Sequence, residues 1–346
     1  MGINYAMLNI IADFRSDTVT RPCQKMRHVM ASASVGDDVF GDDPSVNHLE
    51  AYLAERSGKE SALFCSSGTQ SNLVALLAHC QRGDEYIVGQ EGHTYKYEAG
   101  GAAVLGSIQP QPLDFEADST LDLKKVKAKL KADDFHFARS RLLCIENTRS
   151  GDVLPLNYHG EASSFCKLEG LALHLDGARL FNAMVKQGAE LADYTKHYDS
   201  ISLCISKGLG APIGSLLVGD KAFIAEARRW RKMLGGGMRQ AGMLAAACEF
   251  ALENNVARLA DDHDNALCLA EGLAEIPGIN CEVSRVQTNM VFMTLEEESK
   301  VLQFQNYMAE QGVVITGGQV MRLVTHLDID AAAIEKSIAL SRAFFE

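Results

Sequence analysis

Long apolar segments are missing from this sequence of 346 residues. No apolar run reaches the roughly eighteen residues that a membrane-spanning helix needs. The first dozen residues also lack the basic start and apolar centre of an export signal, and no internal repeat recurs at the periods of solenoid proteins. These absences argue against a helical membrane protein and a repeat array, and they predict a cytoplasmic location.

Positive charge and paired cysteines are also scarce. The chain has 33 Lys and Arg against 45 Asp and Glu, a net charge of -12 at pH 7. This balance argues against nucleic acid or an anionic membrane as a partner, although a local basic cluster can still bind a small anion. The nine cysteines are odd in number and include no C-x-x-C pair. They predict reduced, mostly buried thiols, as in cytoplasmic proteins.

The order of predicted strands and helices indicates an α/β protein with two domains. Between about residues 60 and 220, apolar strands alternate with helices, which predicts a mostly parallel sheet flanked by helices. Ligands of such sheets bind at the carboxyl ends of the strands. Beyond about residue 255 the pattern changes to a smaller α+β domain. We therefore predict an extension over 1–12, a large domain over 13–254 and a small domain over 255–346.

A single lysine follows one of the predicted buried strands. In residues 200–215, SISLCISKGLGAPIGS, the apolar stretch ends just before Lys207 and a glycine-rich loop. A lysine at the end of a buried strand pairs, loses its proton or takes part in chemistry. The glycines after it let the backbone pass close to a bound molecule. A solvated loop lysine explains this stretch alone equally well.

A second stretch, residues 61–80, predicts an anion site. An apolar strand turns through SSGT into a helix whose apolar residues recur at i, i+3, i+4 and i+7. The free N–H groups and the positive dipole end of such a helix suit a phosphate, which Ser67, Gly68 and Thr69 would contact. The stretch matches neither common nucleotide-binding glycine motif. The alternative is a simple helix cap by Ser67 or Thr69.

Four more residues stand at informative places. Asp176 ends an apolar strand, His93 lies in a loop after a short strand, and His136 precedes a buried strand. A surface role is as compatible with His93 as ligand contact is. Arg322 lies inside an otherwise apolar strand and needs an anionic partner, either a structural or a substrate carboxylate.

Lysine, aspartate, a phosphate cup and a histidine at neighbouring strand ends are together what pyridoxal phosphate requires. Lys207 would bind the coenzyme covalently, and Asp176 would keep the ring nitrogen protonated so that the ring can draw in electrons. Ser67, Gly68 and Thr69 would bind the phosphate, and His93 would stack on the ring or lie near it. We therefore predict pyridoxal 5'-phosphate as the cofactor, and no metal site.

Several motifs closely resemble those of the low-specificity L-threonine aldolases, a family with the type I pyridoxal-phosphate fold. They cover nearly the whole chain after residue 13: FRSDTVTRP (14–22), VGDD-x-x-GDDP (35–44), SSGTQSN (66–72), CIENT (144–148), HLDGARLFNA (174–183), SLCISKGLGAPIGSLLVG (202–219), RKMLGGGMRQAG (231–242) and RLVTHLD (322–328). The resemblance implies a homotetramer of intimate dimers. It also implies that Lys207 holds the coenzyme, Asp176 pairs with its ring nitrogen and His93 stacks on the ring.

The resemblance assigns further residues to the site. Substrate-carboxylate contacts would come from Ser16, Arg179 and Arg322, with Arg179 also near the cofactor, and a second histidine near the substrate hydroxyl would be His136. Lys232 and Arg239 of a neighbouring subunit would reach the phosphate. The chain departs from the family in two places, with Phe40 where tyrosine is common and Arg149 where histidine is common.

The implied reaction is retro-aldol cleavage of L-threonine or L-allo-threonine to glycine and acetaldehyde. A base must take the proton of the β-hydroxyl as the bond opens, and His136, His93 or a water between them could do so. The alternatives are an aminotransferase or a β-eliminating lyase of the same fold, or a small-anion-binding protein without catalysis.

Overall fold

The computed structural model describes residues 10–346. The strands, in chain order, are β1 Ala12–Asp13, β2 Ser61–Cys65, β3 Asp84–Gly89, β4 Gln109–Leu113, β5 Arg139–Glu146, β6 Ala172–Gly177, β7 Ser200–Cys204, β8 Ser215–Gly219, β9 Ile279–Cys281, β10 Met290–Leu295, β11 Val313–Val314 and β12 Val320–Val324. The α-helices are α1 Gln24–Ser32, α2 Pro44–Ser57, α3 Gly68–His79, α4 His93–Lys96, α5 Gly101–Gly106, α6 Leu123–Lys129, α7 Leu156–Glu169, α8 Leu180–Gln187, α9 Leu191–Thr195, α10 Lys221–Met233, α11 Gly242–Asn254, α12 Leu259–Ala274, α13 Val301–Glu310 and α14 Ala331–Phe345.

Seven strands form the central sheet in the order β2-β8-β7-β6-β5-β3-β4. Strand β8 runs antiparallel to both of its neighbours, and the other six strands run parallel to one another. Every residue of β3, β7 and β8 is buried, because helices cover both faces of the sheet. The predicted mostly parallel α/β architecture is confirmed. Its six parallel strands bring their carboxyl ends to one edge.

Helix α3 begins at that edge and packs against strands β7 and β8 of the sheet. Ser67 caps its start by accepting a hydrogen bond from the Gln70 N–H, and its apolar residues pack in two separate buried clusters. Seven of its twelve residues are buried, including the polar Ser71 and Asn72. A helix buried on so many sides presents polar groups to the protein interior, where they require partners.

A three-stranded antiparallel sheet, β12-β10-β9, forms the C-terminal part with α12, α13 and α14. The start of the described chain belongs to the same packing unit. β1 pairs with β11, and Ala12 and Phe14 lie in the apolar cluster of the C-terminal part. Residues 10–14 therefore pack on the small unit, which the predicted boundary at residue 13 did not anticipate. Residues 1–9 of the predicted extension lie outside the described residues.

Among residues 10–346, no helix is both long enough and apolar enough to cross a membrane. The nine cysteines are all unpaired, and six of them are buried. Burial raises the pKa of the Cys65 and Cys80 thiols to about 12, so these thiols remain protonated at neutral pH. The expectation of reduced, mostly buried cysteines is confirmed.

Candidate active site

Lys207 lies where the sequence predicted, in the loop after β7 at the carboxyl edge of the sheet. It is half-buried, and its carbonyl oxygen accepts hydrogen bonds from the Thr20 hydroxyl and the Gly210 N–H. Gly210 has φ +80°, and a Cβ there would stand 2.5 Å from Leu327 Cδ2. Only glycine suits this turn, which holds the lysine against the edge of the sheet.

Asp176 lies on the neighbouring strand β6 and is 2% exposed. Its Oδ2 accepts a hydrogen bond from Asn72 Nδ2 at 2.9 Å, and its Oδ1 accepts one from the Ala178 N–H at 3.1 Å. Two donors stabilise the ionised carboxylate against the cost of burial. An ionised, buried carboxylate can hold a proton on a ring nitrogen that faces it.

His93 begins α4, after β3, and belongs to the same cluster. Its Nδ1 is 2.9 Å from Glu98 Oε1, and its backbone N–H donates to Glu146 Oε2 at 2.9 Å. The hydrogen bond with Glu98 raises the pKa of His93, and the charges of Asp176 and Lys207 both act on the imidazole. The structure thus brings His93, Asp176 and Lys207 together.

The start of α3 lies beside this group. A Cβ added to Gly68 would be 3.8 Å from Cys204 Sγ, at the end of the strand that leads to Lys207. Ser67 is half-buried and Thr69 is exposed. Because α3 has twelve residues and begins here, its free N–H groups face the same edge and suit an anion.

The guanidinium of Arg179 pairs with an internal carboxylate, and its predicted contact with a substrate carboxylate stays a prediction. Its Nε and Nη2 donate to the two carboxylate oxygens of Asp17 at 2.7 and 2.6 Å, and Asp17 is fully buried. Burial alone would raise the pKa of Asp17, but the charge of Arg179 and its hydrogen bonds lower this pKa to about 2. Two of the three guanidinium nitrogens of Arg179 therefore donate to an internal carboxylate.

Arg322 and Ser16 lie close to this ion pair. Arg322, on β12 of the C-terminal part, is exposed, and its Nη2 donates to the Arg15 carbonyl at 3.3 Å. Desolvation and the nearby charge of Arg179 lower its pKa, while Asp17 opposes that change. Ser16 accepts a hydrogen bond from the Thr18 N–H. Of the two arginines, only Arg322 faces open solvent beside the site.

His136 is not brought to the site within this chain. It lies before β5, at the opposite edge of the sheet from Lys207, and its exposed imidazole contacts Asp134 in the same loop at 2.6 Å. The eight residues of β5 separate the two edges by roughly 26 Å at 3.3 Å per residue. Within its own chain His136 therefore lies far from Lys207, because the two ends of a strand lie at opposite edges of the sheet. Its predicted place near a substrate hydroxyl stays a prediction.

Three of the remaining predicted residues, Lys232, Arg239 and Phe40, lie on the protein surface, whereas Arg149 is half-buried. Lys232 and Arg239 are exposed, and Arg239 donates to both carboxylate oxygens of Asp37. Phe40 is 76% exposed. Arg149 places its guanidinium 4.7 Å from the centre of the Phe115 ring. The roles of Lys232 and Arg239 toward a phosphate stay predictions.

Three residues of the site were not singled out by sequence reasoning. Asp17 neutralises Arg179, Asn72 bridges Asp176 and Glu98, and Glu146 lies beside Asp176 in the strand register. Desolvation and the charge of Asp176 raise the pKa of Glu146 to about 7. The one signal for Glu146 was its position at a strand's carboxyl end. Asn72 was hidden because its helix position looked like an ordinary interior one.

The donor set fits pyridoxal phosphate. A lysine amine, a buried carboxylate, a helix start and an imidazole converge on one edge, and they match the carbonyl carbon, ring nitrogen, phosphate and ring face of that group. A further donor supports the match. Asn147 is fully buried beside Asp176, and its Nδ2 has no partner among the described residues. A buried unpaired amide is costly unless a ligand satisfies it.

Comparison with known proteins decides the family. The profile of the family described as Beta-eliminating lyase matches residues 13–297. The chain is 56% identical to the low specificity L-threonine aldolase of Escherichia coli K12 over 96% of this chain and 98% of that protein. It belongs to the low-specificity L-threonine aldolase family.

Other members of the threonine aldolase group extend the finding. Low-specificity L-threonine aldolase 1 of Arabidopsis thaliana is 41% identical, with 94% of each chain covered. The solved structure of the Leishmania major threonine aldolase superposes with a TM-score of 0.83 and 23% identity over 97% of this chain and 100% of that one. This likeness confirms the fold type I architecture that the resemblance implied.

Proposed function

We propose that this threonine aldolase uses pyridoxal phosphate to cleave L-threonine and L-allo-threonine into glycine and acetaldehyde. Its near full-length identity of 56% to the E. coli enzyme supports the activity. The grouping of Lys207, Asp176 and His93 supports the cofactor, because Asp176 and Lys207 lie close enough for both to act on the His93 imidazole. When bound, pyridoxal phosphate supplies the electron sink for the breaking Cα–Cβ bond.

Binding and orientation of the amino acid fall to Arg322. Its exposed guanidinium lies near Arg179. Among residues 10–346, no acidic side chain lies within hydrogen-bond reach of Arg322, so a substrate carboxylate would supply the charge-assisted pair that it lacks. Arg179, held by Asp17, would support this clamp with its positive field rather than with its whole fork. Fixing the carboxylate decides which bond at Cα can break.

Proton transfer from the β-hydroxyl falls to His93 in this proposal. Glu98 is buried and contacts Nδ1, which raises the pKa of the imidazole and makes its other nitrogen a better proton acceptor. His93 is partly open to solvent, as a residue that meets a substrate must be. His136 would reach a site only from another subunit, since its own chain holds it at the opposite edge.

We further propose a cytoplasmic homotetramer. Nine unpaired cysteines support a reducing compartment. Exposed apolar side chains support assembly, because Val35, Phe40 and Met233 are all exposed. The Arg239 carbonyl accepts a hydrogen bond from the Asp38 N–H, which joins the segment of Phe40 to that of Lys232 and Arg239. This surface would carry the two basic residues toward a neighbouring subunit's phosphate.

The test compares the purified wild-type protein with Lys207→Ala. Each is mixed with pyridoxal phosphate and either threonine diastereomer, and the visible absorbance, glycine, acetaldehyde and any keto acid are measured. The wild type should show the coenzyme band and release glycine and acetaldehyde in equal amounts. The variant should show neither the coenzyme band nor the release of products. Keto acid without glycine would support an aminotransferase or β-eliminating lyase, and an active Lys207→Ala protein would end the proposal.

A further inference from the structure

A directed chain of hydrogen bonds begins at Asp176 and leads away from the substrate. Asn72 donates through Nδ2 to Asp176 Oδ2 at 2.9 Å and to Glu98 Oε1 at 3.0 Å. Asn72 Oδ1 is 3.2 Å from His174 Nε2, His174 Nδ1 is 2.8 Å from Ser200 Oγ, and Ser200 Oγ is 2.7 Å from His79 Nε2. These side chains come from α3, β6 and β7 and the segment after α4.

The proton positions in this series of hydrogen bonds follow from the carboxylates at its start. An ionised carboxylate only accepts hydrogen bonds, so Asn72 must turn its amide nitrogen toward Asp176 and Glu98 and its oxygen toward His174. His174 must then donate from Nε2 and accept at Nδ1, which requires the Ser200 hydroxyl to donate to it. His79 Nε2–H completes the sequence by donating to Ser200 Oγ.

Burial favours the neutral imidazoles that this order needs. His174 is fully buried and Asn72 is 2% exposed. Desolvation lowers the pKa of His174 to about 3 and that of His79 to about 4. A neutral imidazole has one donor and one acceptor, so each histidine passes the direction of the hydrogen bonds on to the next group.

We propose that Asn72 is the positioning residue of Asp176 and that His174, by donating to Asn72 Oδ1, holds the amide in the orientation that the two carboxylates require. A reversed amide would direct its oxygen at two carboxylates, which excludes it. The correctly oriented amide stabilises the ionised form of Asp176 that the ring nitrogen of the coenzyme needs. This inference rests on the proposed use of pyridoxal phosphate.

The test compares variants at His174 with a matched buried histidine elsewhere. His174→Phe removes the donor to Asn72, and His174→Gln restores one through its amide. His159→Phe is the control, because His159 is also fully buried, has a pKa lowered to about 4 and contacts Tyr198 Oη rather than the site. For each protein, coenzyme affinity is measured by titration, and kcat and KM are measured at saturating coenzyme. The melting temperature of each protein is measured as well.

His174→Phe should weaken coenzyme binding and lower kcat by about 10-fold or more, as lost outer partners of binding groups commonly do, with KM for the amino acid nearly unchanged. His174→Gln should stay within about 3-fold of wild type, and His159→Phe should change melting temperature without changing coenzyme affinity. Equal affinity in His174→Phe and wild type, or equal losses in all three variants, would overturn the inference.

Failure of the proposed function has a different appearance in the same experiment. If the wild type binds pyridoxal phosphate but releases no glycine from threonine, the aldolase proposal fails, while the coenzyme affinities of the variants still decide the role of His174. If the wild type does not bind the coenzyme, both proposals fall together.

Discussion

The two ends of the site differ in how the chain builds them. The ring end, which is Asp176, Asn72, Glu98 and His174, lies within the large sheet, helix α3 and the segment after α4, and every member has a hydrogen-bond partner. The carboxylate end, which is Ser16, Asp17, Arg179 and Arg322, combines the start of the chain, the segment before α8 and strand β12.

The comparison shows that identical residue types acquire different functions from their surroundings. Arg179 and Arg322 both suggested a carboxylate clamp, yet Arg179 has an internal acid and Arg322 has none in the described hydrogen bonds and ion pairs. Every side chain of the ring end has a hydrogen-bond partner before a ligand binds. The carboxylate end holds one neutralised and one available charge, so its selectivity depends on Asp17.

The largest effect expected at the carboxylate end follows from breaking the Asp17–Arg179 pair. Arg179→Ala would leave Asp17 ionised and buried, which should lower the free energy of unfolding by about 3–5 kcal/mol. Chemical unfolding of the two proteins at pH 7 measures it. The double variant Asp17→Leu with Arg179→Met is the control and should recover much of the loss, because no charge stays buried. A loss below about 1 kcal/mol in Arg179→Ala would contradict the structural role.

Arg322→Ala should produce the opposite pattern. Because the side chain is exposed and bonds one carbonyl, unfolding should change little, whereas KM for threonine should rise about 10- to 140-fold as a charge-assisted pair of about 1.5–3 kcal/mol is lost. Steady-state kinetics and a melting curve test both halves. Arg322→Lys is the control and should recover only part of the affinity. An unchanged KM would return Arg322 to a structural role.

A smaller effect concerns pH and the ring end. Desolvation and the charge of Asp176 raise the pKa of Glu146 from its ordinary value of 4.5 to about 7 in the folded protein, so the unfolded state releases the proton first as the pH rises. The contribution of Glu146 to stability is therefore complete below about pH 4.5 and declines as the pH rises to about 7. In the coenzyme-free protein, Glu146→Gln should flatten the decline in unfolding free energy between pH 5 and 8. Parallel wild-type and variant curves would argue against this shift.

The smallest effect should come from Arg149. Its contact with the Phe115 ring is a cation–π pair, worth about 0.5–1 kcal/mol. Arg149→Ala should lower the free energy of unfolding by that amount and leave kcat and KM unchanged, since the guanidinium faces Phe115 rather than the site. Phe115→Leu should cause a comparable loss that is not additive with the first. A large kinetic change would show that Arg149 reaches the site.

Sequence reasoning succeeded where a residue's function follows from its place on a strand. Lys207 and Asp176 could be predicted to meet because both follow parallel strands, and parallel carboxyl ends share an edge. The same rule places His136 at the opposite edge of its own chain, since it precedes its strand. Asp17 and Asn72 could not be found because their partners lie 162 and 104 residues away, and no local pattern reports such a contact.

The pairing of β1 with β11 has a consequence for synthesis of the protein. Phe14 accepts the Val324 N–H through its carbonyl, and Asp13 does the same for His326 Nε2, so the first described residues are anchored by nearly the last ones. A nascent chain emerges from the ribosome with its start first. The segment that carries Ser16 and Asp17 must therefore wait for β11 and β12 before it can dock, and an unfinished chain lacks the contacts proposed for a substrate carboxylate.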